Sequence, residues 1–115
     1  MDDPDEQRLR QRAAAGDQDA IDDLIAWAVD REDLDELRRL ADAGQSDAAA
    51  ELIQLAGERG DLTELRRLAD RGYSDATDVL IETAADQQNL DELRRLADAG
   101  NTQAAEVLAE LTEED

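Results

Sequence analysis

Carboxylates are the chain's main chemical resource: twenty Asp and twelve Glu in 115 residues, with no His, Cys or Lys beside them. In such a composition, pairs at catalytic distance arise by accident. General acid–base catalysis needs two carboxyl groups whose surroundings push their pKa values apart, usually through burial. The Asp and Glu here fall instead on expected solvent faces and helix starts. Without His, Cys and Lys, the usual proton shuttles, thiolate nucleophiles and Schiff-base amines are gone. Ser46 and Ser74, the only serines, stand where a helix cap is expected, and no Gly-rich phosphate loop appears. The expectation is a protein that is not an enzyme and carries no cofactor.

Asp17, Asp19, Asp22 and Asp23 invite a calcium reading. An EF-hand loop needs Gly at its sixth position and Glu at its twelfth. Counted from Asp17 those places hold Asp22 and Ala28. A helix N-terminus, which attracts anions, explains the cluster better, and no metal site is expected.

The most regular polar feature is the column Arg10, Arg38, Arg66 and Arg94. Helical geometry puts Arg38 about 90° from the centre of its apolar stripe. Its stem would cover apolar surface while the guanidinium meets an Asp or Glu of the same or the next repeat. Asp42, Asp70 and Asp98 lie four residues on from Arg38, Arg66 and Arg94, a spacing that permits pairing. The column therefore serves either as structural ion pairing or as a ladder that grips a partner's carboxylates. Arg39, Arg67 and Arg95 point away from the stripe and are expected in solvent. Tyr73 stands where the other copies have Gln45 and Asn101, in a turn that needs no aromatic. It is a candidate interface anchor. The candidate partner-binding residues are thus Tyr73, Arg38, Arg66 and Arg94. Trp27 shares a column with Leu55, Thr83 and Leu111, which makes partly buried packing the expectation.

These residues are placed by a repeat. Leu34 to Gly44 recurs as Leu62 to Gly72 and as Leu90 to Gly100, at an offset of 28 residues, with nine of the eleven positions alike in all three copies. A worn first copy supplies Leu9, Ala13 and Gly16 to the same columns. The first half of each unit has apolar residues at helical spacing, as in Leu34, Leu37, Leu40 and Ala41. Asp33 with Glu36, Asp61 with Glu64 and Asn89 with Glu92 have capping-box spacing, and Asp3-Pro4-Asp5-Glu6 offers the same with Pro at the first helical position. The recurring Gly closes the helix in a left-handed conformation, after which Ser46, Ser74 or Thr102 is expected to cap the next. The second halves carry Ile21, Leu24, Ile25 and Ala28 and their equivalents.

Helices this short do not persist alone in water, and one hairpin cannot bury its own stripe, so repeats must stack. The predicted fold is all-α, an α-solenoid of four stacked 28-residue helix–turn–helix repeats, about eight short helices. It forms one domain over 1–115, with units near 3–32, 33–60, 61–88 and 89–115. Gly57 aligns with Val29 and Ala85, so that helix is expected to end early, with residues 57–60 forming the tightest turn. In the first copy Glu6 and Arg12 replace leucines, which would give a polar outer face. At the other end Leu108 and Leu111 either pack inward or meet another molecule, as in self-association through the C-terminal repeat.

The net charge of −20, with Arg as the only basic residue, repels nucleic acid and anionic membranes and favours basic partners. No apolar run approaches the ~20 residues that cross a bilayer. The first residues lack a signal peptide's basic and apolar stretches. A cytoplasmic location is the expectation, and the missing cysteines leave the redox compartment open.

Leu34–Gly60, Leu62–Gln88 and Leu90–Glu114 resemble αα-hairpin solenoids of the tetratricopeptide and Sel1-like class, above all the compact repeats of actinobacterial proteins. The period is 28 here against about 34 in tetratricopeptide repeats, and that family's Trp, Gly-Tyr and Pro positions are missing. The resemblance implies a protein–protein interaction role. Three readings follow: an interaction or scaffold module presenting an acidic surface to a basic protein or peptide; an engineered or reconstructed repeat without activity of its own; and an acidic mimic of nucleic acid that blocks a DNA-binding protein.

Overall fold

The computed structural model describes residues 4–113. Every regular element among them is an α-helix: α1 (Pro4–Ala14), α2 (Gln18–Arg31), α3 (Leu34–Asp42), α4 (Ser46–Arg59), α5 (Leu62–Asp70), α6 (Ser74–Asp86), α7 (Leu90–Asp98) and α8 (Thr102–Thr112). None is long and apolar enough to cross a membrane. The chain divides into two compact units, Met1–Leu52 and Ile53–Asp115, with the boundary inside α4.

The helix starts recur with the sequence period because the turn chemistry recurs. Within each hairpin a glycine (Gly16, Gly44, Gly72, Gly100) takes a φ of 93 to 104°, which a side chain would strain. The amide of the next residue then reaches back five positions: Asp17 to Arg12 O at 2.9 Å, Gln45 to Leu40 O at 3.1 Å, Tyr73 to Leu68 O at 3.2 Å and Asn101 to Leu96 O at 3.0 Å. That bond satisfies one of the orphan carbonyls of the finished helix. It leaves a single residue to begin the next helix. Asp17, Tyr73 and Asn101 are therefore the N-caps, in extended backbone conformation. Ser46, Ser74 and Thr102 are the first helical residues rather than the caps expected of them.

Between hairpins the same device works with less suitable residues. Glu32, Gly60 and Gln88 have φ of 52, 67 and 53°, so two side-chain-bearing residues accept the left-handed region at a cost of about 1 kcal/mol each. Again the following amides reach back, from Asp33, Asp61 and Asn89 to the carbonyls of Ala28, Ala56 and Ala84 at 2.8, 2.9 and 2.8 Å. The side chains of Asp33, Asp61 and Asn89 cap α3, α5 and α7 through the amides of Glu36, Glu64 and Glu92 at 3.0 to 3.1 Å. The N-terminal capping box expected at Asp3 lies outside the described residues; α1 does begin at Pro4.

In the first unit α1 and α2 form a hairpin and α3 packs on α2. Its core is Ala20, Ile21, Leu24, Ile25 and Ala28 from α2, Leu37, Leu40 and Ala41 from α3, and Ala48, Ala49 and Leu52 from α4. Glu6, expected on a polar outer face, is buried instead. It accepts from Arg10 at 3.5 Å and Arg31 at 3.3 Å, two cations that make its burial tolerable. Arg12 is exposed as expected and pairs with Asp17 at 2.8 Å. Trp27 is half-buried, with the Arg31 guanidinium 4.5 Å from its ring centroid.

In the second unit α5 pairs with α6 and α7 with α8, while α6 also packs on α7 and α8. Leu65, Leu68, Leu80, Ile81 and Leu93 are almost wholly enclosed. Gly57 does not end its helix early; α4 runs on to Arg59, as long as α2. The glycine serves close packing: a Cβ built there would lie 2.7 Å from Val79 Cγ1 of α6. Gly57→Ala should therefore lower stability by about 1 kcal/mol, overpacking outweighing the gain in helix propensity. With Val79→Ala in the same chain the sign should reverse. A urea double-mutant cycle that finds the two substitutions additive would refute this contact.

α8 buries fully only Ala104. Leu108 and Leu111 are half-exposed, so neither is enclosed by the described residues.

Candidate functional site

The arginines of the odd helices and the capping-box glutamates form one recurring arrangement. In the first unit Arg10 of α1 donates to Glu36 of α3 at 2.8 Å, and Glu36 also accepts from Arg39 three residues on. In the second, Arg66 of α5 donates to Glu92 of α7, whose other oxygen accepts from Arg95 Nε at 3.1 Å and a terminal nitrogen at 2.6 Å. Arg67 grips Glu64 through the same fork, at 3.0 and 2.8 Å.

The local reason lies in the turn. In a capping box the glutamate would bond back to the N-cap amide. Here those amides of Asp33, Asp61 and Asn89 already donate to the preceding helix. The Glu36, Glu64 and Glu92 carboxylates are left for arginine. Arg39, Arg67 and Arg95 were expected free in solvent. Although Arg39 and Arg95 are exposed, all three turn back three residues to a carboxylate that is largely enclosed.

Burial alone pushes the Glu92 carboxyl upward. Hydrogen bonds from Arg95 and Arg66, with their charges, outweigh it and hold the group below the ordinary glutamate range. Glu36 behaves alike: its burial is outweighed by Arg39 and Arg10. On the basic side, the hydrogen bond to Glu36 raises Arg10, and that to Glu92 raises Arg95. A carboxylate held ionised between two guanidinium groups is poorly placed to transfer a proton. These ion pairs tie α1 to α3 in the first unit and α5 to α7 in the second.

Of the candidate partner-binding residues, Arg66 is therefore engaged with Glu92, and its Nε is buried with no hydrogen-bond partner among the described residues. Arg38 and Arg94 turn to Asp35 at 2.8 Å and Asp91 at 3.3 Å, in the first turns of their own helices. Neither Arg66 nor Arg94 uses the aspartate four residues on. Arg94 has Asp91 three residues before it, while Arg66, with Thr63 at that place, reaches Glu92 of α7 instead. Tyr73 is half-buried at the start of α6 and caps it without a side-chain hydrogen bond. The aspartate cluster belongs to the start of α2: Asp17 accepts from the amides of Asp19 and Ala20 at 3.1 and 3.4 Å. Its carboxyl is lowered, chiefly by the Arg12 hydrogen bond.

What the sequence reading missed is the counterpart of this pairing. The arginines lie on odd helices and at helix ends, leaving the exposed sides of the even helices to carboxylates. Asp23 and Asp30 of α2, Asp47 of α4, Asp75, Asp78, Glu82 and Asp86 of α6, and Glu106 and Glu110 of α8 are all exposed, and among the described residues none is in an ion pair. The signal was legible as Glu-x-x-Arg in the second, third and fourth odd halves, Glu36 to Arg39, Glu64 to Arg67 and Glu92 to Arg95, and as even halves whose basic residues, Arg31 and Arg59, stand only in the last turn. It speaks for itself only once the glutamates are seen to occupy the arginines.

Comparison of the chain with family models, with curated proteins and with solved structures returns no significant match in any of the three. The helix-hairpin repeat architecture stands on its own geometry, without a specific family attached to it.

Proposed function

We propose that this chain is a non-enzymatic interaction module whose even helices present an acidic surface to a basic protein or peptide. The observation that carries the reading is the segregation just described: exposed carboxylates on the even helices that, among the described residues, no arginine pairs with. The arginines turn to carboxylates of the odd helices and their turns, with Arg10 on Glu36 and Arg66 on Glu92 joining one odd helix to the next within a unit, which supports a binding role for the acids of the even helices rather than a stabilising one. A net charge of −20 steers cationic partners and accelerates their encounter. Four 28-residue hairpins of tetratricopeptide or Sel1-like character would offer such a surface in repeated form. The half-exposed Leu108 and Leu111 of α8 leave room for self-association at the last hairpin.

The test is capture of basic proteins on the immobilised chain over a salt series. The expected result is a partner retained at moderate salt and released as screening shortens the range of the charges to about 8 Å near 0.15 M. Retention that ignores salt, or that occurs equally on a polyglutamate matrix, would defeat the reading.

A further inference from the structure

The acidic surface contains a shaped recess. Between α2 and the opening turns of α4, within the first unit, lies an open groove of about 480 Å³. Ile25 and Val29 of α2 form its floor with the exposed methyl groups of Ala26 and Ala50. Four carboxylates stand around it: Asp22, Asp30, Asp47 and Glu51. Asp22 accepts from Gln18 at 3.0 Å, and the other three have no hydrogen-bond or ion-pair partner among the described residues.

The second unit shows why the groove is open. One repeat on, Val29 becomes Gly57 and Glu51 becomes Val79, and there the valine lies so close to the glycine that no Cβ fits between the helices. In the first unit the corresponding pair is a valine and a half-exposed glutamate. A charged side chain keeps to water, so Val29 stays partly uncovered beside the buried Ile25.

We infer that this groove is a docking site for a peptide segment in which an aliphatic side chain is flanked by Lys or Arg, the aliphatic group resting on Ile25 and Val29 and the cations on the four carboxylates. Charge complementarity selects the occupant. Like charges around an apolar recess repel one another until a cation arrives, and an apolar floor holds an aliphatic group or the methylene stem of a long basic side chain. Nucleic acid and acidic segments meet the same field and are repelled. The inference rests on the acidic-surface reading and adds to it a place and a pattern.

The experiment is fluorescence anisotropy at low salt with a short labelled helical peptide of Lys, Leu and Ala, against a counterpart with Glu in place of Lys. Two groove variants are compared with the parent chain: Asp30→Asn with Asp47→Asn, and Ala50→Leu, which fills the recess without changing charge. Asp78→Asn with Glu82→Gln on α6 matches the first in charge removed. Each groove variant should weaken the Lys peptide by ~10-fold and the α6 control by less than ~2-fold, and the Glu peptide should not bind. Circular dichroism checks that the helices persist, and the Asn pair keeps the test open should Ala50→Leu disturb them. Equal weakening by groove and α6 variants would overturn the groove while leaving the acidic-surface reading intact. A Lys peptide that fails to bind even the parent chain would overturn both.

Discussion

Leu80→Ala should cost roughly 3 kcal/mol of folding stability, a large share of the roughly 5–15 kcal/mol typical of a domain this size. Leu80 is wholly enclosed in α6, the helix of the second unit that packs on α5, α7 and α8 alike. Alanine removes the contacts of a full side chain and leaves a cavity that three neighbouring helices cannot collapse together. The same change at Leu108, half-exposed on α8, should cost under about 1 kcal/mol. Urea unfolding followed by circular dichroism reads both. Equal losses at the two positions would mean that α8 is buried in solution by something other than its own chain, and sedimentation of the parent protein would then show a dimer.

Glu92→Gln should cost about 2 kcal/mol at neutral pH, less than the roughly 3–5 kcal/mol of a fully buried pair, because both arginines keep contact with water. The Arg66 and Arg95 side chains are 40 and 44% exposed, against 3% for Glu92. The pH dependence separates charge from packing. Glu92 has a folded pKa below its unfolded one. Its contribution is therefore complete above the ordinary glutamate range and is lost as pH falls through the lower, folded value. The gap between parent and variant should narrow over that acidic window, while the exposed carboxylates, common to both proteins, cancel from the difference. A gap that stays constant down to the acid limit would assign the loss to side-chain packing. Glu36, held between Arg10 and Arg39, should behave the same way in the first unit.

Much of the local structure was legible residue by residue. Gly16, Gly44, Gly72 and Gly100 mark chain reversals because a left-handed φ is strained for any side chain. Asp33, Asp61 and Asn89 cap helices because a short polar side chain reaches an orphan amide. The leucine and alanine columns become buried faces because their spacing follows the helical period. Each of these rests on interactions within a few residues, so the order of types along the chain carries them.

The ion pairs and the groove depended on residues far apart in the chain. Nothing local tells Glu92 whether its N-cap amide is free, and only the bond from Asn89 to Ala84 leaves the carboxylate for Arg66 and Arg95. Gly57 looked like a helix end because glycine disfavours helices. Close packing against Val79, 22 positions later, made it an interior residue instead. The repeat and the helix ends are thus properties of the sequence alone, set by short-range backbone chemistry. Which charges are spent within the chain, and which are left facing outward, was decided by tertiary packing, because a carboxylate's role depends on the guanidinium groups that folding brings to it.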